Sequence, residues 1–149
     1  MKRIVKLLTV VVAMAETFGC AEPEFSPNLY LDVTPNNIKG TWRMESYDNG
    51  AKLEEGSYYY IVFDRAERTF ASYDNTGSMG VVKKTGHYAI ETKESAVIFG
   101  DYDNTLFPSS WEHRYYVRNL TSDSMVWVAT DDETIVQVYV RDELPAELK

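Results

Sequence analysis

The sequence predicts an all-β fold, a single eight-stranded antiparallel up-and-down barrel preceded by a signal peptide and a flexible tether. From residue 38 onward, short runs of β-branched and aromatic residues alternate with turn sequences, a pattern typical of sandwiches and barrels. The 11 Tyr, 6 Phe and 3 Trp residues suit the half-buried faces of a sheet. No ten-residue segment has a convincing helical pattern, and closing the sheet into a barrel removes its free strand edges.

Turn sequences divide the predicted barrel into its strands. The first strand ends at Asp48-Asn49-Gly50, a strong hairpin signal. Gly86 is expected at a bulge or bend within the fourth strand. Brief helical turns are expected near residues 36–37 or 108–110, and another within 145–149. The predicted strands are 40–47, 58–64, 68–73, 80–90, 96–102, 111–120, 125–130 and 134–141.

Alternation within the strands indicates two different faces. In the first strand, Trp42 and Met44 lie on one face, and Arg43 and Glu45 lie on the other. In the last strand, three valines alternate with three residues of other types: Val136, Val138 and Val140 against Gln137, Tyr139 and Arg141.

The first residues have the form of an export signal. Lys2, Arg3 and Lys6 make a positive start, and a mostly apolar run follows over residues 4–15. That run is shorter than the roughly 20 residues that span a ~30 Å bilayer core, so a cleaved signal is expected. The predicted organisation is a signal peptide (1–19), a lipid-anchored, proline-containing tether (20–37), a barrel (38–144) and a tail (145–149).

The apolar leader ends at the single cysteine of the chain, Cys20. Thr17-Phe18-Gly19-Cys20 resembles the lipobox of bacterial lipoproteins. The resemblance implies a lipid on Cys20 as a membrane anchor and places the protein in the cell envelope, as an outer-membrane lipoprotein on the periplasmic or the surface face. The alternative is an ordinary signal peptide cleaved near Gly19, which leaves a free exported thiol.

The charge of the chain argues against nucleic-acid binding. The net charge is −8, and cutting before Cys20 leaves 12 basic and 22 acidic residues, a net charge of −10. So acidic a body repels phosphate backbones, and no basic stripe offsets this repulsion. The predicted barrel has no cysteine, so its stability must come from the core and the sheet rather than from disulfides.

The sequence predicts no catalytic residue, no metal and no cofactor. No G-x-S-x-G elbow occurs. His87 and His113 have no second His or Cys at metal-ligand spacing and are expected to be surface or satisfied strand histidines. Glycoside cleavage by a pair of carboxylates remains an alternative, although Glu45, Glu91 and Glu112 are expected on the solvent face.

Several segments together resemble a known family. Residues 38–44 are similar to the opening Gly-x-Trp strand of lipocalins and of the lipocalin-like domains of Bacteroidetes lipoproteins; Gly86-His87-Tyr88, residues 120–127 and Tyr139-Val140-Arg141 extend the likeness over residues 38–142. The chain lacks the disulfides of many lipocalins, so the likeness is to the lipocalin-like set. It implies that Trp42 plugs the closed end of the barrel and that Arg141 packs across it, as a barrel-closing structural pair.

An eight-stranded barrel is either filled by side chains or holds one small ligand. If the large rings cluster at the closed end, a cup remains above them; its wall would suit a small apolar, aromatic or glycan ligand. The alternative is a filled barrel that acts as a protein-interaction, inhibitor or assembly module without a small-molecule ligand. The candidate cavity lining is Met44, Tyr59, Phe63, Phe70, Tyr88, Tyr116 and Trp127.

Overall fold

The computed structural model describes residues 29–149 except Asn49, Ser78 and Thr105. The predicted signal peptide, Cys20 and most of the predicted tether lie outside the described residues. In the described part of the chain, no helix has the length and hydrophobicity needed to cross a bilayer.

The strands form one antiparallel sheet that closes on itself. The strands are β1 Gly40–Ser46, β2 Tyr59–Asp64, β3 Thr69–Asp74, β4 Val82–Glu91, β5 Val97–Tyr102, β6 Ser109–Ser110, β7 Tyr115–Arg118, β8 Ser124–Ala129 and β9 Val136–Arg141. Their order is β4-β3-β2-β1-β9-β8-β7-β5, and a further pairing of β4 with β5 completes the ring. The predicted eight-stranded barrel is therefore confirmed, with a ninth, two-residue strand, β6, paired to β5.

Two short helical elements flank the barrel, and a third predicted position is a strand. Helix α1 spans Pro35–Ile38, where Thr34 accepts a hydrogen bond from the Asn37 amide at 3.2 Å and caps the helix. A 3-10 helix spans Ala146–Leu148 in the tail. Residues 108–110 do not form the expected helical turn, because Ser109 and Ser110 pair with β5 as strand β6.

The segment before the barrel packs on it from residue 31 onward. The Leu31 amide donates to the Leu120 carbonyl at 2.7 Å, and Val33 packs against the core. The last part of the predicted tether is thus docked on the barrel. It docks at the end where the loops 65–68, 92–96 and 119–123 lie, which we name the closed end. The described residues of the loops 47–58, 75–81, 103–114 and 130–135 surround the opposite, open end.

Gly86 permits a close approach of strands rather than a bulge. It pairs in regular register with Phe70 and with Tyr102. A Cβ at this position would lie 2.0 Å from the Asp101 carbonyl oxygen, so only glycine fits. Among the described residues, the register of the ring shifts instead in β1, between Met44 and Ser46 opposite β9.

The interior face of β9 carries its non-valine residues. Arg141 pairs with Trp42 and Tyr139 pairs with Met44, and residues paired across an antiparallel sheet share a face. Tyr139 is buried in the core, so the three valines of β9 lie on the outer wall.

Candidate functional site at the open end of the barrel

The closed end is sealed by Trp42 and Arg141. Trp42 has no exposed surface, and its indole N–H donates to the Ile38 carbonyl at 2.8 Å. The Arg141 guanidinium carbon lies 3.8 Å from the centroid of the Trp42 ring. A cation held over an indole face at this distance is attracted by the ring. Trp42 and Arg141, the predicted barrel-closing pair, are therefore in contact.

Arg141 also ties the first and last parts of the fold together. Its guanidinium donates to the carbonyls of Asn37 at 3.0 Å and Ser122 at 3.2 Å, and to the carbonyl of Lys39. Burial lowers the pKa of Arg141, and the nearby Asp123 carboxylate raises it. These donors satisfy carbonyls at the end of α1 and in the β7–β8 loop, and so fix the seal.

A packed layer of rings lies above the seal. Phe63 and Tyr88 meet edge to face at 4.9 Å between ring centroids, and Trp127 and Tyr139 lie 4.7 Å apart. Phe63, Phe70 and Tyr88 are buried in the core. The lower half of the barrel interior is therefore filled by side chains.

Above this layer the interior opens into a cavity that we name the cup. Its wide mouth has a volume of about 570 Å³, and an inner recess of about 160 Å³ lies against Trp127 and Tyr139. A mouth of this size lies within the range of small-molecule sites, roughly 300–1,000 Å³. Mouth and recess share the lining residues Met44, Tyr59, Glu112, Tyr115 and Gln137.

Aromatic rings dominate the wall of the inner recess. Trp111 and Trp127 are stacked with 5.5 Å between centroids and 29° between planes, and Tyr115 lies 5.2 Å from Trp127. Trp111 follows β6 and folds over Gly100, where a Cβ would lie 2.5 Å from the indole. The glycine is therefore the seat that lets this indole face the cup.

The phenols of the cup keep their protons at neutral pH. Burial raises the pKa of Tyr115 to about 12, against the opposing effect of its hydrogen bond with Gln137. Burial also raises the pKa of Tyr59 and of Tyr139, in each case well above the usual value. The Tyr139 hydroxyl donates to the Gln137 side-chain oxygen at 2.9 Å. The recess thus presents neutral hydroxyls and one amide beside the ring faces.

The rim of the cup is acidic. Asp48, Asp74 and Glu112 line the mouth, and so does His113. The His113 Nδ1 atom lies 2.9 Å from an oxygen of Asp131. His113, the lining residue that can gain a positive charge, is therefore already paired with a carboxylate. No Lys or Arg lines the mouth or the recess among the described residues.

Three of the predicted lining residues reach the cup. Met44 and Tyr59 line both mouth and recess, and Trp127 lines the recess. Three other predicted residues point into the barrel but lie in the packed layer below: Phe63, Phe70 and Tyr88. Tyr88 also borders a shallow depression near α1.

The prediction for Tyr116 is wrong, because this side chain lies on the outer wall. Its neighbours Tyr115 and Val117 are buried in the core, and alternation turns Tyr116 outward. There the Arg118 guanidinium carbon lies 5.3 Å from its ring centroid. Arg114 and Arg118 share its face of the strand, and this charged pair was the sequence signal for the correct phase.

Much of the wall of the cup consists of residues that the sequence patterns did not predict there. Tyr115 was not predicted because Tyr116, its neighbour in β7, was expected to face inward instead. Gln137 and Tyr139 lie on the face of β9 that carries the more polar residues. Trp111 precedes β7 in a loop, so no strand pattern points to its position. The remaining ring of the recess that was missed is Tyr102, at the end of β5.

The other candidate groups form no second site. Glu45 and Glu91 lie on the barrel surface, at 3.0 Å from Arg43 and 2.7 Å from Arg114 respectively. His87 is largely exposed beside Asp103. Among the residues that the structure describes, no three His, Cys, Asp or Glu side chains are placed to hold a metal ion.

Comparison with known proteins gives one finding. A family model described as a lipocalin-like domain matches residues 38–127, from α1 through most of β8. No match was found among curated proteins or among solved structures.

Proposed function

This chain belongs to the family of lipocalin-like domains, and we propose that its barrel binds one small, flat, apolar or aromatic molecule in the cup. A lipocalin-like fold is typically a binding fold rather than a catalytic one, so the coarse role is that of a binding module. The observation that carries the finer proposal is the open cavity of about 570 Å³ at one end of an otherwise packed barrel.

The shape of the cup supports a ligand with one or two rings. The recess of about 160 Å³ is small, and the stacked Trp111 and Trp127 make one flat side of it. Aromatic pairs prefer offset or edge-to-face contacts, and such contacts add to the effect of buried area. A flat molecule that enters edge-first would place its faces against these rings.

The polar groups of the recess would orient this molecule. Gln137 and the neutral hydroxyls of Tyr59 and Tyr115 lie at the boundary between recess and mouth. A few fixed donors and acceptors in an otherwise apolar wall are typical of small-molecule sites. They suit an aromatic molecule with a polar edge, or a sugar ring.

Two adjacent tyrosines provide a matched test of this proposal. Tyr115→Leu removes a ring from the cup, while Tyr116→Leu makes the same change on the outer wall. The probe is N-phenyl-1-naphthylamine, a neutral fluorophore, titrated into each purified variant while its emission is recorded. We expect wild type and Tyr116→Leu to bind alike, and Tyr115→Leu to bind roughly tenfold more weakly.

Equal weakening by both substitutions would contradict a site inside the barrel. Native mass spectrometry of protein purified from its source adds a second measurement: a retained small molecule supports the proposal. A clean apo mass, with no thermal shift from a panel of lipophiles and glycans, would contradict it.

A protein-interaction module is the second candidate function. The observation that favours it is a pair of large apolar side chains on the 103–114 loop, Leu106 (79% exposed) and Phe107 (74% exposed). Exposed apolar clusters often mark contact sites. Leu106→Ser with Phe107→Ser would abolish co-purification of a protein partner but leave probe binding in the cup unchanged.

We further propose that the protein is exported and held in the cell envelope by a lipid on Cys20. The support is the sequence of residues 1–20, with its basic start, apolar run and Gly19–Cys20 end. Metabolic labelling with a fatty-acid analogue should mark the wild-type protein, and Cys20→Ala should lose both the label and the membrane fraction. Unchanged membrane retention of the variant would contradict the lipid anchor.

A further inference from the structure

The acidic rim and the rings of the cup together indicate the charge of its ligand. We propose that the cup selects a cationic molecule, an aromatic amine whose ring enters the recess and whose ammonium group lies at the rim beside Asp48, Asp74 and Glu112. This inference rests on the proposed function and narrows its ligand class.

The ionisable acidic and basic residues that line the mouth, apart from His113, all have the same sign of charge. The carboxylates of Asp48, Asp74 and Glu112 line it, and no described Lys or Arg does. A cleft lined by one sign of charge between low-dielectric walls concentrates ions of the opposite sign. The whole chain has a net charge of −8, so the general field has the same sign as the local one.

The carboxylates act on the interior of the cup as well as on its edge. Burial is the main cause of the raised pKa of Tyr102 and of Tyr115, and the negative charge of Glu112 raises both pKa values as well. The charge of Asp74 acts in the same direction on Tyr59. Each of these phenols therefore lies in a negative potential, which would stabilise an ammonium group and destabilise a carboxylate.

Among the described residues, every ring of the recess except that of Tyr102 lacks a Lys or Arg over its face. Outside the cup, Arg114 lies 4.1 Å from the Phe99 ring and Arg118 lies 5.3 Å from the Tyr116 ring. At the boundary, the Lys84 ammonium lies 5.2 Å from the Tyr102 ring. In the part of the chain that the structure describes, no Lys or Arg lies over the remaining rings of the recess, which are those of Tyr59, Trp111, Tyr115, Trp127 and Tyr139.

Ring faces attract cations, and indole does so most strongly. The stacked Trp111 and Trp127 therefore add to the attraction of the carboxylates. Positive or potentially positive groups adjoin residues of the cup: Lys84 borders a separate depression beside Tyr102, His113 is paired with Asp131, and Lys52, next to Leu53, lies 3.5 Å from Glu45. None of these three is both unpaired and inside the cup.

Three probes with the same ring separate charge from shape. Tryptamine is cationic, indole-3-acetamide is neutral and indole-3-acetate is anionic at neutral pH. Their affinities for the purified barrel are measured by isothermal titration calorimetry. We expect tryptamine to bind at least roughly tenfold more tightly than the amide, and the acetate to bind most weakly. Raising the salt from about 0.02 M to about 0.5 M should reduce the advantage of tryptamine, because salt screens exposed charges.

Paired double variants test whether the rim causes this preference. Asp48→Asn with Glu112→Gln removes two rim charges, and Glu67→Gln with Glu94→Gln removes two exposed charges from loops at the closed end. We expect the rim variant to lose most of the preference for tryptamine while its affinity for the amide stays within about twofold. The closed-end variant should keep the wild-type order.

The outcomes distinguish a failure of the charge inference from a failure of the proposed small-molecule function. If the amide binds and tryptamine is no tighter, the charge inference is overturned and the proposed cup remains. If both double variants lose the preference equally, net charge rather than the rim is the cause, and the inference is also overturned. If none of the three probes binds, the proposed small-molecule function is contradicted along with it.

Discussion

The two ends of the barrel are built from the same strands, but one end is sealed by side chains and the other opens into a cavity. At the closed end, Trp42 has no exposed surface and lies under Arg141 at 3.8 Å. At the open end, Trp111 and Tyr115 line a cavity. The comparison shows that ring size alone does not fill a barrel. What matters is whether a chain segment covers the ring, as α1 does at the closed end.

This difference predicts that stability depends mainly on the closed end, while the ligand binding proposed above depends on the open end. Residues of the packed half make many apolar contacts and hydrogen bonds that would be lost together. Of the rings that line the cup, Tyr59 and Trp111 are only partly buried, so their removal costs less. Variants at matched positions in the two halves test this division.

The largest expected effect is at Trp42. Trp42→Ala removes a fully buried indole, its hydrogen bond to Ile38 and the stack with Arg141, and should lower the free energy of unfolding by about 3–5 kcal/mol. Trp111→Ala, in the half-exposed cup, should cost roughly 1–3 kcal/mol. Urea denaturation of both variants measures the difference. Equal losses would contradict the division between the two ends.

The next largest effect is at Arg141. Arg141→Gln leaves the carbonyls of Asn37 and Ser122 without these donors and removes the cation from Trp42, at a cost of about 2–3 kcal/mol. Lysine should recover only part of this loss, since it lacks the planar fork of donors. The control is Arg118→Gln, which removes a similar stack on the outer wall and should change stability by less than about 0.5 kcal/mol. A comparable loss in the control would contradict a special role for the seal.

A smaller effect is expected at the seat of Trp111. Gly100→Ala places a Cβ about 2.5 Å from the indole, so the ring must move, at a cost of roughly 1–2 kcal/mol. Near-ultraviolet circular dichroism should lose the signal of the stacked indoles, and probe binding should weaken. Gly77→Ala is the control, since nothing lies within 4 Å of its added Cβ. An unchanged spectrum of Gly100→Ala would contradict the claim that the Trp111 indole depends on the space left by Gly100.

The last effect is absent at neutral pH and appears only in alkaline solution: a pH dependence that belongs to the cup. An unfolded tyrosine loses its proton at about pH 10, whereas Tyr115 has a pKa of about 12 in the folded barrel. Between these values the folded state holds more protons, so the free energy of unfolding falls as pH rises, by up to about 1.4 kcal/mol per pH unit for each such phenol. Below about pH 9 the contribution of Tyr115 is constant.

Tyr115→Phe isolates this contribution. The variant should lose stability less steeply than wild type between about pH 10 and pH 12, while the slope from the other buried phenols remains. Denaturation midpoints at several alkaline pH values give both curves. Parallel curves would show that Tyr115 ionises in the folded barrel as readily as in the unfolded chain.

Sequence patterns predicted strands such as β1 and β5 because more buried and less buried residues alternate along them. The alternation in β1 placed Trp42 and Met44 correctly, since charged residues occupy the other face. The same rule could not settle β7 by its aromatic residues, where Tyr115 and Tyr116 are adjacent and each suits a buried face. The flanking arginines decide the phase, because a charged side chain is costly to bury.

Height along the barrel axis could not be predicted at all. Phe63 and Tyr59 lie on the same face of β2, yet one belongs to the packed layer and the other lines the cup. Which of them is covered depends on α1 and on the loops, whose positions are set by non-local contacts. The placement of Trp111 over Gly100 is of the same kind: a loop residue reaches the interior only because a glycine on another strand makes room.

The pairing of the first strand with the last sets a condition on how this protein can be made. Arg43 in β1 bonds Asp142, just past β9, at 2.8 Å across 99 positions of the chain, and contacts between distant residues form slowly. A chain that stops before residue 136 has no partner for β1 on one side and none for β8. Such a truncated product would expose two strand edges that can pair with other chains, so only the finished polypeptide can close the ring.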